Sequence, residues 1–518
     1  MSFLPIKSPV NLLNLFLYNM GIRAFLSKPI AAWVVNRQKK WASNPSQTQQ
    51  KVLSYLVKEA AATSFGKDHQ FASIKSYDDF KKHVPIRDYE QLSPYVNRVV
   101  DGEEDVLWKG KPLYFAKTSG TTSGIKYIPI SKDSIPYHIN GARDTLLNYV
   151  HETGKSDFLD GSLIFLSGSP EMVKKHGIYV GRLSGIVNHH VPGYLRTNQK
   201  PSYETNCIED WEEKLEKVID ETINARMTLI SGIPPWVQMY FDRIIARTGK
   251  KIKDVFPDFS LFVYGGVNFE PYKAKLYESI GKKIDSIETY PASEGFIAFQ
   301  DSQREEGLLL LLNSGIFYEF VPTNEYFSPN PTRLSIDQVE LGVNYALIMS
   351  TNAGLWAYSI GDTVKFVSNA PYRLVVTGRI KHFISAFGEH VIGEEVEKAM
   401  QQTMQKYKET EVIEFTVAPQ VTAPDGGLPY HEWFVEFATP PNDISAFAND
   451  LDRALVKLNA YYDDLITGSI LQRLKITILQ KDAFINYMKS QGKLGGQNKV
   501  PRLSNDRAIA DVLTTYKK

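Results

Sequence analysis

The sequence predicts an α/β protein in two parts, and three observations lead to that prediction. Short apolar runs alternate with amphipathic helical stretches between about residues 160 and 290, which favours parallel strands joined by crossover helices. Beyond residue 308, apolar segments separated by Asn- and Gly-containing turns indicate antiparallel hairpins. After Gly378-Arg379 the order becomes helix, strand, strand, helix, strand, which is typical of a small α+β domain.

We therefore expect a large domain over residues 1–378, with mostly parallel sheets and an antiparallel, barrel-like part, and a small mobile α+β domain over residues 379–518. Residues 28–63 and 74–98 are expected to be helical, with prolines interrupting the second stretch. The apolar residues 12–18 are too few for a bilayer span, which needs about 20. We interpret them as part of helices that pack on the body, without stable membrane insertion, although weak membrane association is an alternative.

The remaining elements follow from local hydrophobic patterns. In the large domain, strands are expected at residues 163–166, 227–230, 261–264 and 284–290, and helices at 211–224 and 235–248. Residues 308–312 and 316–321 should pair as one hairpin, and residues 345–350 and 356–366 as another. In the small domain, helices are expected at 394–407 and 445–462, and strands at 412–418, 432–437 and 474–479.

Composition excludes several classes of function. Hydrophobic residues make up 43% of the 518 residues, enough for well-filled interiors. Lys and Arg number 59 against 58 Asp and Glu, so no charge excess points to nucleic acid. The single cysteine, Cys207, cannot form an intramolecular disulfide or a cysteine metal site. This predicts a cytoplasmic protein, in which Cys207 is more readily a structural thiol than a nucleophile.

The stretch from Phe115 to Lys126 follows a short apolar run and is rich in small polar residues. Its hydroxyl groups come from Thr118, Ser119, Thr121, Thr122 and Ser123. Gly120 and Gly124 let backbone N–H groups face anionic oxygens. Such clusters are often ordinary surface loops, but the strand before it and the lysine after it favour a polyphosphate site. The stretch matches neither the P-loop pattern nor Gly-x-Gly-x-x-Gly.

Three further candidates lie at predicted strand ends or in a hairpin. Gly265-Gly266 could let a flat ring approach the backbone, or could be an ordinary strand-to-helix turn. In the segment Tyr290-Pro-Ala-Ser293-Glu294, Tyr290 could stack on a purine, Ser293 could bind its polar edge and Glu294 could bind magnesium. Asp362 could accept the ribose hydroxyls of a nucleotide, or could close a turn.

The last candidates are Arg379, at the expected hinge after Gly378, and Lys499, in the Gly-rich tail loop. Lys499 could swing toward a carboxylate and the α-phosphate, although cations near a terminus are usually solvated. An acyl pocket is expected between the loop after residue 166 and the helix near residue 134. Its expected lining, which could equally be core, is Tyr137, His138, Val180 and Tyr194. His189-His190 lacks a third ligand at useful spacing, which argues against a metal site.

In their order along the chain these motifs resemble the acyl-adenylate-forming superfamily, and within it the auxin-responsive acyl acid amido synthetase (Gretchen Hagen) family, in a bacterial-type version. The resemblance rests on Thr118 to Pro129, on Tyr-Pro-Ala-Ser-Glu294 and on Tyr-Ser-Ile-Gly-Asp-Thr-Val364, with a lead-in through Val-Pro-Ile-Arg-Asp-Tyr89 and a tail at Lys499-Val-Pro-Arg502. The phosphate loop has one residue fewer before Lys126 than the family usually has.

The resemblance implies ATP-dependent adenylation of a small carboxylic acid, followed by acyl transfer to an amine, expected to be an amino acid, with formation of an amide. Mg²⁺ and Glu294, Lys126 and Lys499 would serve the chemistry. An acyl-CoA ligase with a thiol acceptor and an inactive nucleotide-binding scaffold remain alternatives. A monomer or homodimer that binds no nucleic acid is expected.

Overall fold

The computed structural model describes residues 21–518 except residues 120–124, 192–195, 209, 267–268, 381–382, 385–390, 422, 425–426, 468–470, 495–498 and 505. Across these described ranges, every helix is too short or too polar to cross a bilayer. The N-terminal residues 12–18 lie outside them, and so do Gly120, Thr121, Thr122, Ser123 and Tyr194.

The helices are numbered in chain order. Those of the larger part are α1 (Ile22–Ala42), α2 (Pro45–Ala60), α3 (Ser64–Asp68), α4 (Tyr77–His83), α5 (Tyr89–Val100), α6 (Ile135–Thr153), α7 (Leu183–His189), α8 (Tyr203–Cys207), α9 (Trp211–Thr222), α10 (Pro234–Thr248), α11 (Ile252–Val255) and α12 (Glu270–Ile280). Those of the C-terminal part are α13 (Gly393–Met404), α14 (Ile444–Leu458), α15 (Ala460–Thr467), α16 (Ala483–Ser490) and α17 (Ala508–Thr514).

Within the described ranges, the strands form four sheets. In chain order they are β1 (Tyr114–Ser119), β2 (Ile125–Ile130), β3 (Ser162–Phe165), β4 (Val173–Lys175), β5 (Ile178–Gly181), β6 (Gln199–Lys200), β7 (Met227–Ser231), β8 (Leu261–Gly265), β9 (Asp285–Ala292), β10 (Gly295–Phe299), β11 (Leu308–Leu310), β12 (Ile316–Pro322), β13 (Asn344–Thr351), β14 (Tyr358–Asn369), β15 (Tyr372–Arg379), β16 (Phe383–Ile384), β17 (Val391–Ile392), β18 (Glu411–Gln420), β19 (Tyr430–Thr439) and β20 (Lys475–Leu479).

The largest sheet has eleven strands in the order β12-β13-β14-β15-β11-β10-β9-β8-β7-β3-β6. Strands β6, β3, β7, β8 and β9 run parallel to one another, as the alternation of strands and helices predicts. From β9 onward all pairs are antiparallel. The α/β class is thereby confirmed, and the antiparallel strands extend the same sheet.

A second sheet, in the order β2-β1-β5-β4, carries the strands on either side of the phosphate-loop motif. β1 and β2 pair antiparallel, with Thr118 opposite Lys126, and β5 runs parallel to β1 on its other side. Residues after β1 and after β5 therefore emerge at the same edge of this sheet.

Separate apolar cores support these layers. One core, which includes Trp356 and Phe65, fills the space between the N-terminal helices and the antiparallel strands. A second, which includes Tyr240 and Phe262, lies between strands β7 and β8 and helices α9, α10 and α12. The C-terminal residues from Val391 onward have their own core and the three-stranded sheet β18-β19-β20. The expected order of helices and strands there is observed, while the division at residue 378 stays a prediction.

One expected hairpin is wrong. β11 lies between β10 and β15, and β12 pairs with β13 instead. The side chain of Gln49 explains the separation, because its amide nitrogen donates to the carbonyls of Leu312 (2.7 Å) and Ile316 (2.9 Å). Its amide oxygen accepts from the backbone N–H of Tyr318 at 2.8 Å. A residue on α2 thus occupies backbone groups that a local hairpin would have paired.

Candidate active site

The edge of the large sheet where β8 and β9 end is packed too tightly for any residue but glycine at position 265. Gly265 pairs with Thr289 on β9. A Cβ on Gly265 would lie 2.5 Å from the carbonyl oxygen of Thr289. Gly266 has φ +82°, a conformation that glycine adopts without strain. The Gly-Gly pair therefore leaves the backbone bare at this edge.

Lys499 reaches this bare backbone from the C-terminal part of the chain. Its Nζ would lie 2.8 Å from a Cβ placed on Gly266. Crowding by protein atoms lowers the pKa of the Lys499 amine to about 8, Asp362 raises it and Arg379 lowers it further, although the residue as a whole remains exposed. Lys499, Gly266, Asp362 and Arg379 are thus grouped at one place.

Asp362 is held by two neighbours. The hydroxyl of Tyr290 donates to Oδ2 at 2.6 Å, and Nε of Arg379 lies 3.0 Å from Oδ1. The pairing of β14 with β15 sets Asp362 opposite Arg379. Arg379 also donates from Nη2 to the carbonyl of Ile360 at 2.8 Å. Tyr290 is buried and holds Asp362 in place, so its stacking on a purine stays a prediction.

Glu294 lies with Ser293 in the turn between β9 and β10. Burial raises the pKa of Glu294, and the charge of Asp362 raises it further, whereas Arg379 and Lys126 oppose the rise. Lys126, on β2, places Nζ 5.3 Å from the centre of the Tyr89 ring. Two carboxylates and two cations therefore influence one another, from β2, the turn after β9, the middle of β14 and the end of β15.

The structure thus brings together eight of the residues that the sequence singles out: Lys126, Gly265, Gly266, Tyr290, Glu294, Asp362, Arg379 and Lys499. Ser293 adjoins Glu294, and Thr118 and Ser119 end β1. The roles of all these residues remain predictions.

The expected acyl lining is scattered over different elements. Tyr137 and His138 are on α6, and Val180 is buried on β5. Burial lowers the pKa of His138 to about 4. His189 and His190 bond to the Pro170 carbonyl and the Tyr114 hydroxyl. Within the described part of the chain, no cluster of three His, Cys, Asp or Glu side chains is arranged to hold a metal.

One group of functional interest escaped the sequence reading. Arg502 donates from Nη2 to the hydroxyl of Tyr272 at 2.8 Å and bonds through Nη1 to Glu414. The Tyr272 hydroxyl donates to Oε2 of Glu414 at 3.0 Å, and Glu397 lies 3.0 Å from Arg502 Nε. Tyr272 is on α12, whereas the other three belong to the C-terminal part. In the sequence, Arg502 belongs to the tail motif that ends the family resemblance, whereas Tyr272 belongs to no motif.

Comparison with known proteins identifies the family. Three family models match along the chain: the GH3 family N-terminal domain at residues 34–200, the central domain at 309–379 and the C-terminal domain at 394–508. The chain belongs to the GH3 family. This confirms the resemblance drawn from the motifs, while the bacterial-type assignment stays a prediction.

Individual GH3 relatives are distant in sequence but similar over nearly their whole length. A jasmonoyl-L-amino acid synthetase of Nicotiana attenuata is 21% identical, over 88% of this chain and 90% of the relative. Among solved structures, the GH3.15 acyl acid amido synthetase in complex with 2,4-DB has a TM-score of 0.77 at 15% identity, covering 100% of this chain and 98% of that one. A 2-hydroxyisobutyryl-CoA ligase has a TM-score of 0.57 at 13% identity, covering 90% of each chain. These structural likenesses show the fold.

Proposed function

We propose that this GH3 protein activates a small carboxylic acid with ATP as an acyl-adenylate and transfers the acyl group to the amine of an amino acid, forming an amide. The jasmonoyl-L-amino acid synthetase and the GH3.15 acyl acid amido synthetase carry names of this type. The observation that carries the proposal is the convergence of Lys126, Glu294, Asp362, Arg379 and Lys499 beside the bare backbone at Gly265-Gly266.

The nucleotide would lie along this edge. The flat base approaches the backbone at Gly265-Gly266, where neither residue has a side chain of its own and where only the long, flexible Lys499 side chain lies over Gly266. Asp362 accepts the ribose hydroxyls, because the Tyr290 hydrogen bond and the Arg379 ion pair fix the orientation of its carboxylate. Half of the Arg379 side chain is exposed, so its guanidinium can reach the ligand as well. We assign the phosphates to Thr118 and Ser119, which end β1, together with the hydroxyl-bearing residues that follow them in the sequence.

In the first step, a carboxylate oxygen of the acid attacks the α-phosphorus of ATP. The bond from that phosphorus to the bridging oxygen breaks, and pyrophosphate leaves with the electron pair. Negative charge increases on the non-bridging oxygens, where preorganised cations lower the barrier most effectively. Lys126, on β2, and Lys499, in a loop of the C-terminal part, supply that charge.

The acidic residues fit a magnesium ion that arrives with ATP. Mg²⁺ in nucleotide sites takes one or two carboxylates and completes its shell with phosphate oxygens and water. Glu294 offers one such carboxylate beside Asp362, and the described residues form no all-protein metal cage. Glu294 would hold the ion, whose chemistry is to neutralise phosphate charge.

In the second step, the neutral amine attacks the acyl carbonyl. The carbon–oxygen bond to AMP breaks, AMP leaves, and the amine nitrogen loses one proton. Lys499 belongs to the first step only, and the C-terminal part moves about the hinge near Arg379 between the steps. The division into residues 1–378 and 379–518, a cytoplasmic location and a monomeric or homodimeric state are further expectations.

Exchange of radiolabelled pyrophosphate into ATP across a panel of carboxylic acids tests the proposal, followed by product mass with pooled amino acids. We expect exchange that depends on one class of acid, and an amide product. Exchange that yields a thioester with coenzyme A but no amide would replace the proposal with the thiol-acceptor alternative. ATP binding with no exchange for any acid would favour an inactive scaffold.

A further inference from the structure

Two cations lie beside one loop on the far side of β1 from the nucleotide cluster. The loop is Ser167-Gly168, which follows β3. Lys214, on α9, donates from Nζ to the Ser167 carbonyl at 2.9 Å and to the Asn206 carbonyl at 2.7 Å. Nη1 of Arg182 would lie 3.4 Å from a Cβ placed on Gly168. The two positive charges therefore meet at consecutive residues of the loop.

No carboxylate in the described part of the chain balances this pair. Neither Arg182 nor Lys214 forms an ion pair with a described residue, and Lys214 is 4% exposed. Burial lowers the pKa of Lys214 to about 8; the Cys207 thiol raises this pKa, and the charge of Arg182 lowers it. Two buried polar groups nearby, Ser184 Oγ and the side-chain amide of Asn206, also lack a hydrogen-bond partner among the residues that the structure describes.

The strand pairing places Arg182 near the end of β1, at the edge of the sheet where the phosphate-loop motif begins. β5 runs parallel to β1 with Gly181 opposite Ala116, so Arg182, the next residue, lies near the end of β1. Neighbouring strands of a sheet are about 5 Å apart. Lys126 is on β2, the other neighbour of β1. In the large sheet, β3, β7 and β8 run parallel, so the Ser167-Gly168 loop emerges at the same edge as Gly265.

This cationic pair is separate from the nucleotide cluster. The charges that act on Glu294 are those of Asp362, Arg379 and Lys126, and those that act on Lys499 are Asp362 and Arg379. Arg182 belongs to neither group. The proposed function assigns Lys126 and the residues after β1 to the phosphates and leaves Arg182 without a role. Lys214 is buried and donates to two carbonyls, so it supports the loop, and Arg182 is the cation that can bind a second anion.

We propose that Arg182, supported by Lys214, binds the carboxylate of the acceptor amino acid. This inference rests on the proposed function. The reaction converts the carboxylate of the acyl acid into the amide carbonyl. The carboxylate of the acceptor amino acid is not consumed, so it stays negatively charged and needs a cation beside it in the site. A guanidinium holds a carboxylate through two parallel hydrogen bonds. The amine, attached to the neighbouring carbon, is then presented toward the end of β1 and the acyl-adenylate. Lys214 fixes the loop carbonyl and adds positive charge.

The test compares wild type with Arg182→Gln and Arg182→Lys. Purified acyl-adenylate is supplied with either an amino acid or its carboxamide, which lacks the negative charge. For Arg182→Gln we expect the KM for the amino acid to rise about 10- to 100-fold, with acid-dependent pyrophosphate exchange unchanged. The preference for the amino acid over its carboxamide should fall toward one, and Arg182→Lys should recover part of it.

Arg243→Gln is the matched control, because this arginine forms exposed ion pairs on α10 with Glu216 and Glu212. A thermal melt establishes whether each variant folds. If Arg182→Gln does not fold, the amino acid KM and the carboxamide preference of Arg182→Lys test the proposal instead. An unchanged preference over the carboxamide would overturn the proposal. So would a raised KM for ATP or the acid in the exchange assay, because Arg182 would then serve those substrates. Failure of the proposed function is seen separately, as a wild type that forms no amide with any amino acid.

Discussion

The contact between Tyr272 and Arg502 predicts how the C-terminal part is held for the first step. Arg502 lies three residues after Lys499, and its guanidinium binds Glu414 and Glu397 of the C-terminal part as well as Tyr272 of α12. Tyr272→Phe removes only the hydroxyl. The Arg502 ion pairs within the C-terminal part remain, so the substitution weakens the attachment of the Lys499 segment to the rest of the protein and leaves that segment's local structure intact.

The expected magnitude follows from the bonds that are lost. The hydroxyl donates to Glu414 at 3.0 Å and accepts from Arg502 at 2.8 Å, and a hydrogen bond to a charged group contributes about 1.5–3 kcal/mol. The two bonds share one hydroxyl and Arg502 keeps its ion pairs, so we take their net contribution as that of one such bond. At about 1.4 kcal/mol per factor of ten, this shifts the docking equilibrium of the Lys499 segment roughly 10- to 100-fold. We expect kcat/KM for acid-dependent pyrophosphate exchange to fall by up to that factor, while acyl transfer from purified acyl-adenylate stays within about twofold.

Tyr277→Phe is the matched control for this prediction. Tyr277 is on the same helix, but its hydroxyl donates to the Ile284 carbonyl at 3.2 Å within the larger part. It should leave pyrophosphate exchange unchanged. The reasoning is refuted if Tyr272→Phe exchanges pyrophosphate like wild type, or if it loses both steps equally.

The remaining predictions concern Lys499 and Gly265. Lys499→Ala should lower pyrophosphate exchange at least 100-fold, or about 2.7 kcal/mol, yet leave acyl transfer from purified acyl-adenylate intact; equal loss of both steps would contradict its role. Because the Lys499 amine loses its charge as pH rises through about 8, kcat/KM for exchange should fall above that pH, and Lys499→Arg should move the decline upward; an unmoved decline would assign it to another group. Gly265→Ala should destabilise the fold by about 1–3 kcal/mol and raise the KM for ATP, because the added Cβ would lie 2.5 Å from the Thr289 carbonyl. Gly393→Ala, whose Cβ meets nothing closer than 3.9 Å, should change neither the melting temperature nor that KM, and a Gly265→Ala protein that behaves the same way would refute the packing argument.

Local patterns predicted the elements of the site well. The strands ending at Gly265 and near Tyr290, and the hairpin that carries Asp362, appear where hydrophobic periodicity put them. Because the ends of neighbouring parallel strands share an edge, the sequence predicts a nucleotide site at Gly265-Gly266, and that site stays a prediction.

Contacts between segments that are distant in the sequence could not be predicted from local patterns. The Asn-Ser-Gly turn after residue 312 predicts a hairpin locally, but Gln49 on α2 takes the backbone groups that the hairpin needs. In the same way, neither Tyr272 nor Arg182 belongs to a motif. Tyr272 contacts Arg502, and Arg182 lies beside Gly168 and near Lys214. These residues are far apart in the sequence, and only the fold brings them together.

The central claim is that the acid is activated as an acyl-adenylate, and transfer of ¹⁸O tests it most directly. The acid selected by the exchange panel is labelled with ¹⁸O in both carboxylate oxygens and converted to amide with ATP and the amino acid. If the carboxylate attacks the α-phosphorus and the amine then displaces AMP, one ¹⁸O atom must appear in the phosphate of AMP and one in the amide carbonyl. Label in inorganic phosphate, with ADP as the nucleotide product, would show attack at the γ-phosphorus and would contradict the account.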